Sequence, residues 1–323
     1  MKAKIAKMSI AIASAALSLT GMLCADVSSI LVGTGYRQDS LTSIVRERSN
    51  VNPRGKTNLH FRDVEIVLID VKAKTTFGCC DTYARIDFDY GWVLDGKLRE
   101  KLSLKNRHSD AEFCNDGFEE SGWFHDVISR RDVSKNSFVW DLDLAFIYPI
   151  KCGCSQNWMF GPGIGFTVNR QQLHAKGDDF RHESHSSSSS SSYSDFSDYT
   201  SSSDSCDSGH RHHNRTSWWG PWIGFDFAYD SCDCWNLYGE VEFHIGRVRH
   251  NRNGHGDNEF GDGFKNTRSY CGPSIKLGST YTICENWYLD GSVFYSKYFS
   301  FNSNRDNIKW ATANIRLDIG YTF

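Results

Sequence analysis

Beyond its first 25 residues the chain lacks any long apolar run, and it has only 5 prolines among its 323 residues. A membrane-spanning helix needs about 20 consecutive apolar residues, so we expect no such helix in residues 26–323. The formal net charge of -3 is small, and no basic region dominates the chain. We therefore expect no nucleic-acid partner. We also expect no organic cofactor and no enzymatic activity.

The first 25 residues have the layout of an export signal. Lysines near the start precede a mostly apolar stretch over residues 8–23, and residues 23–25 fit a small-residue cleavage site. The stretch is short for a membrane span and has no stop-transfer flank. We predict a signal peptide over residues 1–25 and a mature domain over residues 26–323. Export to an oxidising compartment makes disulfides the expected state of the remaining cysteines.

One unit recurs along the mature domain: an alternating strand, a short turn with cysteine, and a second strand that an aromatic residue opens. The turns are residues 78–81, 151–154, 231–234 and 284–286, and the aromatic residues that follow them are Tyr83, Trp158, Trp235 and Trp287. Glycine, aspartate and asparagine favour such turns. An aromatic residue beside each turn fits the interfacial girdle of a membrane barrel.

The strands alternate between apolar and polar residues. In residues 83–92 the apolar side chains share one face, and Arg85, Asp87 and Asp89 share the other. A soluble sandwich would alternate as well. Aromatic-rich faces and connections that alternate between short and long favour a membrane barrel. We predict an all-β transmembrane antiparallel barrel of about ten strands, with short periplasmic turns, long extracellular loops and an outer-membrane location.

Ten strands are predicted near residues 28–38, 63–77, 82–93, 137–150, 157–172, 216–230, 235–249, 267–283, 286–301 and 308–323. The predicted extracellular loops are residues 39–62, 94–136, 173–215, 251–266 and 302–307. Loop 173–215 contains an unbroken serine run over residues 186–192 and is expected to be mobile. The last strand ends at the aromatic Phe323, a signal that we expect the barrel insertion machinery to bind.

The polar faces of these strands predict a charged lumen. The acids expected to point inward are Asp70, Asp87, Asp89, Asp141, Asp143, Asp226, Glu240, Glu242, Asp290 and Asp318, and the bases are Lys72, Lys74, Arg85, Lys276 and Arg316. One interpretation is an aqueous lumen that prefers cations. The other is a charge-paired plug, because a barrel of this size has little free interior.

Other residues could carry chemistry, and each has a simpler interpretation. The histidines around the serine run could bind a metal, but a solvated loop explains them: His182, His185, His210, His212 and His213. The pairs Asp110 with Glu112 and His255 with Asp257 could activate water, or they could be ordinary loop charges. The turn cysteines could bind metal, but we expect disulfides, and no metal, at Cys79, Cys80, Cys152, Cys154, Cys232, Cys234 and Cys284. Seven cysteines are expected on the periplasmic side and three on the outer side. Because each number is odd, the cysteines of one side cannot all pair within one chain, which predicts thiols that are free or linked to neighbouring molecules.

Residues 140–144, 220–225 and 316–321, together with the cysteine turns and the terminal Phe323, resemble the Pom outer-membrane proteins of amoeba-associated chlamydiae. That resemblance implies a porin role in a disulfide-rich envelope. The order of strands and loops also looks like the omptin proteases, which are ten-stranded barrels with a catalytic site at the extracellular rim. The matching positions are Asp110 and Glu112, then Asn253 and His255. Asn253 stands where that family has an aspartate, so the resemblance implies the architecture and not the proteolysis.

Overall fold

The structure is a computed structural model, and it describes residues 25–46, 54–77, 82–105, 124–151, 157–183, 212–232, 234–254, 264–301 and 307–323. Regular structure in these ranges consists of strands. No helix among the described residues is both long and apolar enough to cross a membrane.

The described strands are numbered in chain order. They are β1 (Ala25–Arg46), β2 (Arg54–Phe77), β3 (Thr82–Lys105), β4 (Phe124–Val133), β5 (Phe138–Ile147), β6 (Ile150–Lys151), β7 (Trp158–Glu183), β8 (His212–Cys232), β9 (Trp235–Gly254), β10 (Phe264–Cys284), β11 (Trp287–Phe301) and β12 (Asn307–Thr322).

These strands form a closed antiparallel barrel, because β1 pairs with both β2 and β12. The segments β4, β5 and β6 together occupy one strand position between β3 and β7. All three pair with β7, and β4 and β5 also pair with β3. The described strands therefore occupy ten positions around the barrel. The all-β barrel of about ten strands predicted from the sequence is confirmed.

The short connections and both ends of the described chain lie at one end of the barrel. Ala25 is opposite Phe77, and Ser29 is opposite Thr322, so the first and last strands end beside the first short turn. The connections at the other end are the longer ones, as the sequence predicted, but several of them begin later than expected. Strand β3 continues to residue 105 and β7 to residue 183. The predicted loops 94–136 and 173–215 are therefore partly strand, and the serine run lies outside the described residues.

The half of the barrel next to the short turns, termed here the membrane section, has an apolar outer surface. In β8 the outward side chains run from Tyr229 through Phe225 and Ile223 to Trp219, and both Phe225 and Ile223 are 63% exposed. Ten residues at about 3.3 Å each, tilted by about 40°, span about 25 Å along the membrane normal. That height matches the apolar band of an outer-membrane barrel.

The half of the barrel next to the long connections, termed here the outer section, has the opposite polarity. In β2, Leu59, Phe61 and Val64 point inward and are at most 2% exposed, whereas Arg62 and Asp63 face outward. The ladder between β2 and β3 shifts register between residues 62 and 66, and Asp63 has a φ of 50° in this bulge. Sequence reasoning ended several strands here because the outer surface stops being apolar, although the backbone ladder continues.

Candidate functional site

The charged side chains of the membrane section meet across the interior of the barrel. Arg85 of β3 donates to Glu242 of β9 at 3.2 Å, although these two strands are not paired. In the same way, Arg316 of β12 donates to Asp89 of β3. Contacts between unpaired strands are possible only through the lumen. The structure thus places these charged residues inside the barrel.

Arg85 is the centre of this charged network. Its guanidinium nitrogens lie between 2.7 and 3.6 Å from five carboxylates, those of Asp87, Asp143, Asp226, Glu240 and Glu242. Lys276 also contacts this group, with its Nζ 3.0 Å from Glu240. A buried carboxylate is costly unless it is paired, so Arg85 compensates much of the charge that β5, β8 and β9 bring inward.

A second group of ion pairs joins β2, β11 and β12. Lys72 of β2 pairs with Asp318, and its Nζ is 3.5 Å from Asp70 and 3.8 Å from Asp290. The positions Gly33 and Asp318 are directly opposite each other, and a Cβ on Gly33 would clash with the Asp318 carboxylate. A glycine in β1 therefore provides the space in which Lys72 and Asp318 meet.

Arg37 and Asp39 belong to the same lumen, and the sequence analysis did not include them. Arg37 is 1% exposed; its Nε donates to Asp39 at 2.7 Å, and its Nη1 pairs with Asp141. Both lie at the predicted end of the first strand, where alternation was no longer followed. The signal was present, because two opposite charges two residues apart share one face of a strand.

The lumen contains more acids than bases. The structure places all ten acids and five bases named from the sequence inside the barrel, and Arg37 and Asp39 add one of each sign. The named lumen residues below the plug are thus eleven acids and six Lys or Arg residues, a surplus of five acids. Asp89 and Asp318 are among the carboxylates with one buried oxygen that accepts no hydrogen bond from the described residues.

The free space of the lumen narrows from the periplasmic mouth inward. A cavity of about 660 Å³ at the mouth, lined by Lys74, Cys234 and Tyr288, shares lining residues with a cavity of about 230 Å³ around Lys72 and Arg85. The third cavity, deeper in the barrel, measures about 70 Å³ and is bounded by Tyr298 and other residues. The space therefore tapers towards the outer section.

An apolar plug fills the outer section beyond the smallest cavity. It consists of Leu41, Leu59, Phe61, Val64, Ile66, Leu68, Val93, Leu98, Val133, Val139, Leu173, Ala175, Trp218, Val248, Tyr270, Tyr298, Ile308 and Trp310. Each of these side chains is at most 5% exposed, and every described strand except the two-residue β6 contributes at least one. The plug therefore extends across the whole cross-section of the barrel.

Aromatic rings form the part of the plug that meets the charged network. Trp218 packs edge-to-face on Tyr270 at 5.1 Å between ring centres and stacks near Trp310 at 6.1 Å. The Arg37 guanidinium lies 5.3 Å from the Trp310 ring centre. A guanidinium above an indole face is attractive, so this contact joins the two sections.

The predicted girdle is only partly present. Trp158, Trp235 and Trp287 face outward and are 43% to 48% exposed. Tyr83 does not belong to the girdle: it points inward and its hydroxyl donates to Asp226. The prediction was wrong because one residue more or less in a turn moves a side chain to the other face.

Three cysteine thiols are described, and all three are free. Cys234 and Cys284 are exposed, and Cys271 is half-buried. The remaining disulfide candidates lie outside the described side chains: Cys79, Cys80, Cys152, Cys154 and Cys232. The expected disulfides therefore stay a prediction.

The loop residues considered for catalysis or metal binding are also largely outside the description. Asp110, Glu112 and His255 are not described, nor are most of the histidines around the serine run. His213 is described, and its ring packs against that of His174 at 4.2 Å. Within the described ranges, no group of three or more His, Cys, Asp or Glu side chains is placed to hold a metal ion.

An apolar outer band, a charged lumen and a closed antiparallel ring together define an outer-membrane β-barrel protein. More particularly, the chain belongs to the Pom family, described as Protochlamydia outer membrane protein, which matches residues 31–323. This family membership, suggested by the sequence, is confirmed, and the protein lies in the outer membrane.

Solved structures are similar in fold and remote in sequence. The outer membrane protease OmpT from Escherichia coli aligns over 93% of this chain and 98% of its own, with a TM-score of 0.58 and 13% identity. The outer membrane protein OprG from Pseudomonas aeruginosa aligns over 93% of this chain and 96% of its own, with a TM-score of 0.30 and 11% identity. No curated protein sequence matches the chain.

Proposed function

We propose that this protein is a structural, surface-exposed barrel of the outer membrane whose lumen is closed to free solute flow. One observation carries the proposal: the apolar plug receives side chains from every strand position of the described barrel. A diffusion pore needs a continuous aqueous path. The plug separates the charged lumen from the outer end.

The energetics favour the closed arrangement. Fully burying a large apolar side chain is worth about 1.5–3 kcal/mol, so exposing three of them to water costs several kcal/mol. Each 1.4 kcal/mol is about a factor of ten in population. An opening that exposes Trp218, Trp310 and Leu59 would therefore be rare at equilibrium.

Planar-bilayer recording of the refolded full chain tests this proposal. We expect wild-type protein to insert and show no steady conductance. The double variant Trp218→Ala and Trp310→Ala should conduct, since it removes two large rings from the plug. The matched control Trp158→Ala and Trp235→Ala removes two rings from the outer surface and should stay closed. Steady conductance from the wild type would contradict the proposal.

Porin-like passage of small solutes, which the sequence favoured, is the second candidate. The tapering cavity that opens at the periplasmic mouth and the surplus of five lumen acids support it. If the wild type conducts, its reversal potential should show cation preference. Replacing Asp87, Asp89, Asp141 and Asp143 with Asn should weaken that preference. Anion preference would exclude this form of the second candidate.

Proteolysis of the omptin kind is not part of the proposal. Asn253 occupies the position at which the resemblance requires an aspartate beside the histidine. Refolded protein should leave a peptide library intact. Cleavage that disappears in a His255→Ala variant would establish proteolysis.

A further inference from the structure

Four arginine side chains face outward on three adjacent strands, directly beyond the apolar band. They are Arg170 on β7, Arg215 on β8, and Arg247 and Arg249 on β9. Their neighbours along each strand are buried in the interior, so alternation places all four on the outer surface. This set is termed the arginine patch.

The strand register brings the patch together around a neutral centre. Ser217 on β8 is directly opposite Arg170 on one side and Arg249 on the other. Neighbouring strands are about 4.8 Å apart, so the Cα atoms of Arg170 and Arg249 are about 10 Å apart. Arg215 lies two residues from Ser217 along β8, towards the long connections. Arg247 lies two residues from Arg249 along β9, towards the short turns. Long guanidinium side chains at this spacing can converge on one small anion.

No described acid compensates the patch. None of the four arginines forms an ion pair with a described carboxylate. The outward positions directly opposite them are uncharged: Trp140, Gln172, Ser217, Trp219, Asn251, Thr267 and Ser269. The Nε atoms of Arg170 and Arg249 are buried and donate to no described acceptor.

The height of the patch matches the outer headgroup layer. Trp158 and Arg170 are the first girdle residue and the first patch residue of β7, twelve residues apart. At about 3.3 Å per residue and a tilt of about 40°, their separation along the membrane normal is about 30 Å. The hydrocarbon core is about 30 Å thick. With Trp158 at the periplasmic interface, Arg170 therefore lies at the opposite one.

We propose that the arginine patch binds the phosphate of a phosphorylated lipid headgroup in the outer leaflet. Guanidinium groups donate paired, charge-assisted hydrogen bonds to phosphate oxygens. Such a ligand accepts hydrogen bonds from the guanidinium groups and offsets the repulsion among four like charges. This site fixes the barrel in its bilayer, and it does not depend on whether the lumen conducts.

Lipid retention by the full chain tests the site. The probe is a phosphorylated disaccharide lipid, compared with the same lipid after enzymatic removal of phosphate, titrated in micelles and followed by native mass spectrometry. We expect at least about tenfold tighter binding of the phosphorylated lipid, because charge-assisted hydrogen bonds are worth more than one tenfold step. The triple variant R170Q, R215Q and R249Q should lose that difference.

A matched control removes the same charge elsewhere. Lys97, Lys135 and Lys309 are exposed outward residues of the outer section, and the triple variant K97Q, K135Q and K309Q should bind like the wild type. The conservative variant R249K keeps the charge without the planar fork and should bind with intermediate affinity. Heat-modifiable migration on gels verifies that each variant is folded.

Three results would overturn the proposal. The first is equal affinity for the two lipid forms, and the second is unchanged binding by the triple patch variant. The third is preferential binding of a soluble sulfated oligosaccharide that displaces the lipid, which would assign the patch to a polyanion outside the membrane. None of these results depends on conductance, so they are separate from a failure of the closed-barrel proposal.

Discussion

The membrane section and the outer section are built from the same strands with opposite polarity. In the membrane section Ile223 and Phe225 face lipid, while Asp226 and Arg85 face the lumen. In the outer section Leu59 and Phe61 fill the interior, while Arg62 faces outward. The outer section is thus packed like a soluble protein, and the membrane section is inverted.

The two sections accommodate different interiors: the membrane section encloses charged side chains, and the outer section encloses an apolar core. The membrane section tolerates inward charges because the Arg85 guanidinium contacts carboxylates from several strands. In the closed-barrel proposal, the outer section closes the lumen, and its apolar core needs no partner charges. Between the two, the bulge at Asp63 and the break between β4 and β5 mark the level at which the surroundings change from lipid to water.

The largest effect is expected from removing the centre of the charged network. Arg85→Ala leaves five inward carboxylates without their shared partner, and breaking a buried ion pair costs about 3–5 kcal/mol. Urea unfolding of the refolded barrel, followed by tryptophan fluorescence, measures the loss. Arg85→Lys keeps the charge without the fork and should lose less. If Arg85→Ala unfolds like the wild type, the network does not stabilise the membrane section.

Trp218→Ala in the plug is expected to lower the free energy of unfolding somewhat less than Arg85→Ala does. Trp218 is 0% exposed, and truncating a buried Trp to Ala typically costs about 3–5 kcal/mol, with the lower end applying where neighbours relax. Its outward neighbour provides the control, because Ser217→Ala should change stability by less than about 0.5 kcal/mol. Equal losses from the two variants would mean that the outer section has no packed core.

The lipid-facing surface is where the two sections differ most directly. Ile223→Arg places a charge near the bilayer midplane and should cost about 2–4 kcal/mol, whereas Gln38→Arg, beside the outward Asp63 of the outer section, should be nearly neutral. Both side chains point outward, so burial by protein does not distinguish them. Refolding yields and urea midpoints in lipid vesicles measure the difference. Similar costs at both sites would refute the assigned membrane boundary.

The sequence predicted the membrane section well and the outer section poorly. The barrel, its ten strand positions and its inward charges follow from period-two alternation and from the turns, because a lipid-facing strand shows a strong apolar contrast. Beyond residue 93 in β3 or residue 172 in β7, the outward residues become polar and the inward ones apolar. Alternation alone does not reveal this exchange, so the outer halves of these strands resembled loops.

The plug could not be derived from the sequence for a related reason. Its members come from every strand position, each contributing one to five side chains that are unremarkable alone. Only the register brings Trp218 near Tyr298 and Trp310. Arg37 was missed for a simpler cause: the first strand was ended at residue 38, before its partner Asp39.

The smallest effect on stability, and a separate effect on assembly, is expected at the periplasmic end of the membrane section. Cys234 and Cys284 are exposed free thiols there, beside turns that hold five further cysteines. An odd number of thiols on one side of the bilayer cannot pair fully within one chain, and about 30 Å of hydrocarbon separates them from the outer cysteines.

We therefore expect disulfides between molecules, visible on non-reducing gels of native membranes as a ladder that collapses with reductant. Cys234→Ser with Cys284→Ser should weaken the ladder and leave the free energy of unfolding of the reduced protein within about 0.5 kcal/mol of wild type. A monomer band alone, in fresh membranes treated with a thiol-blocking reagent, would show that these cysteines do not link neighbouring barrels.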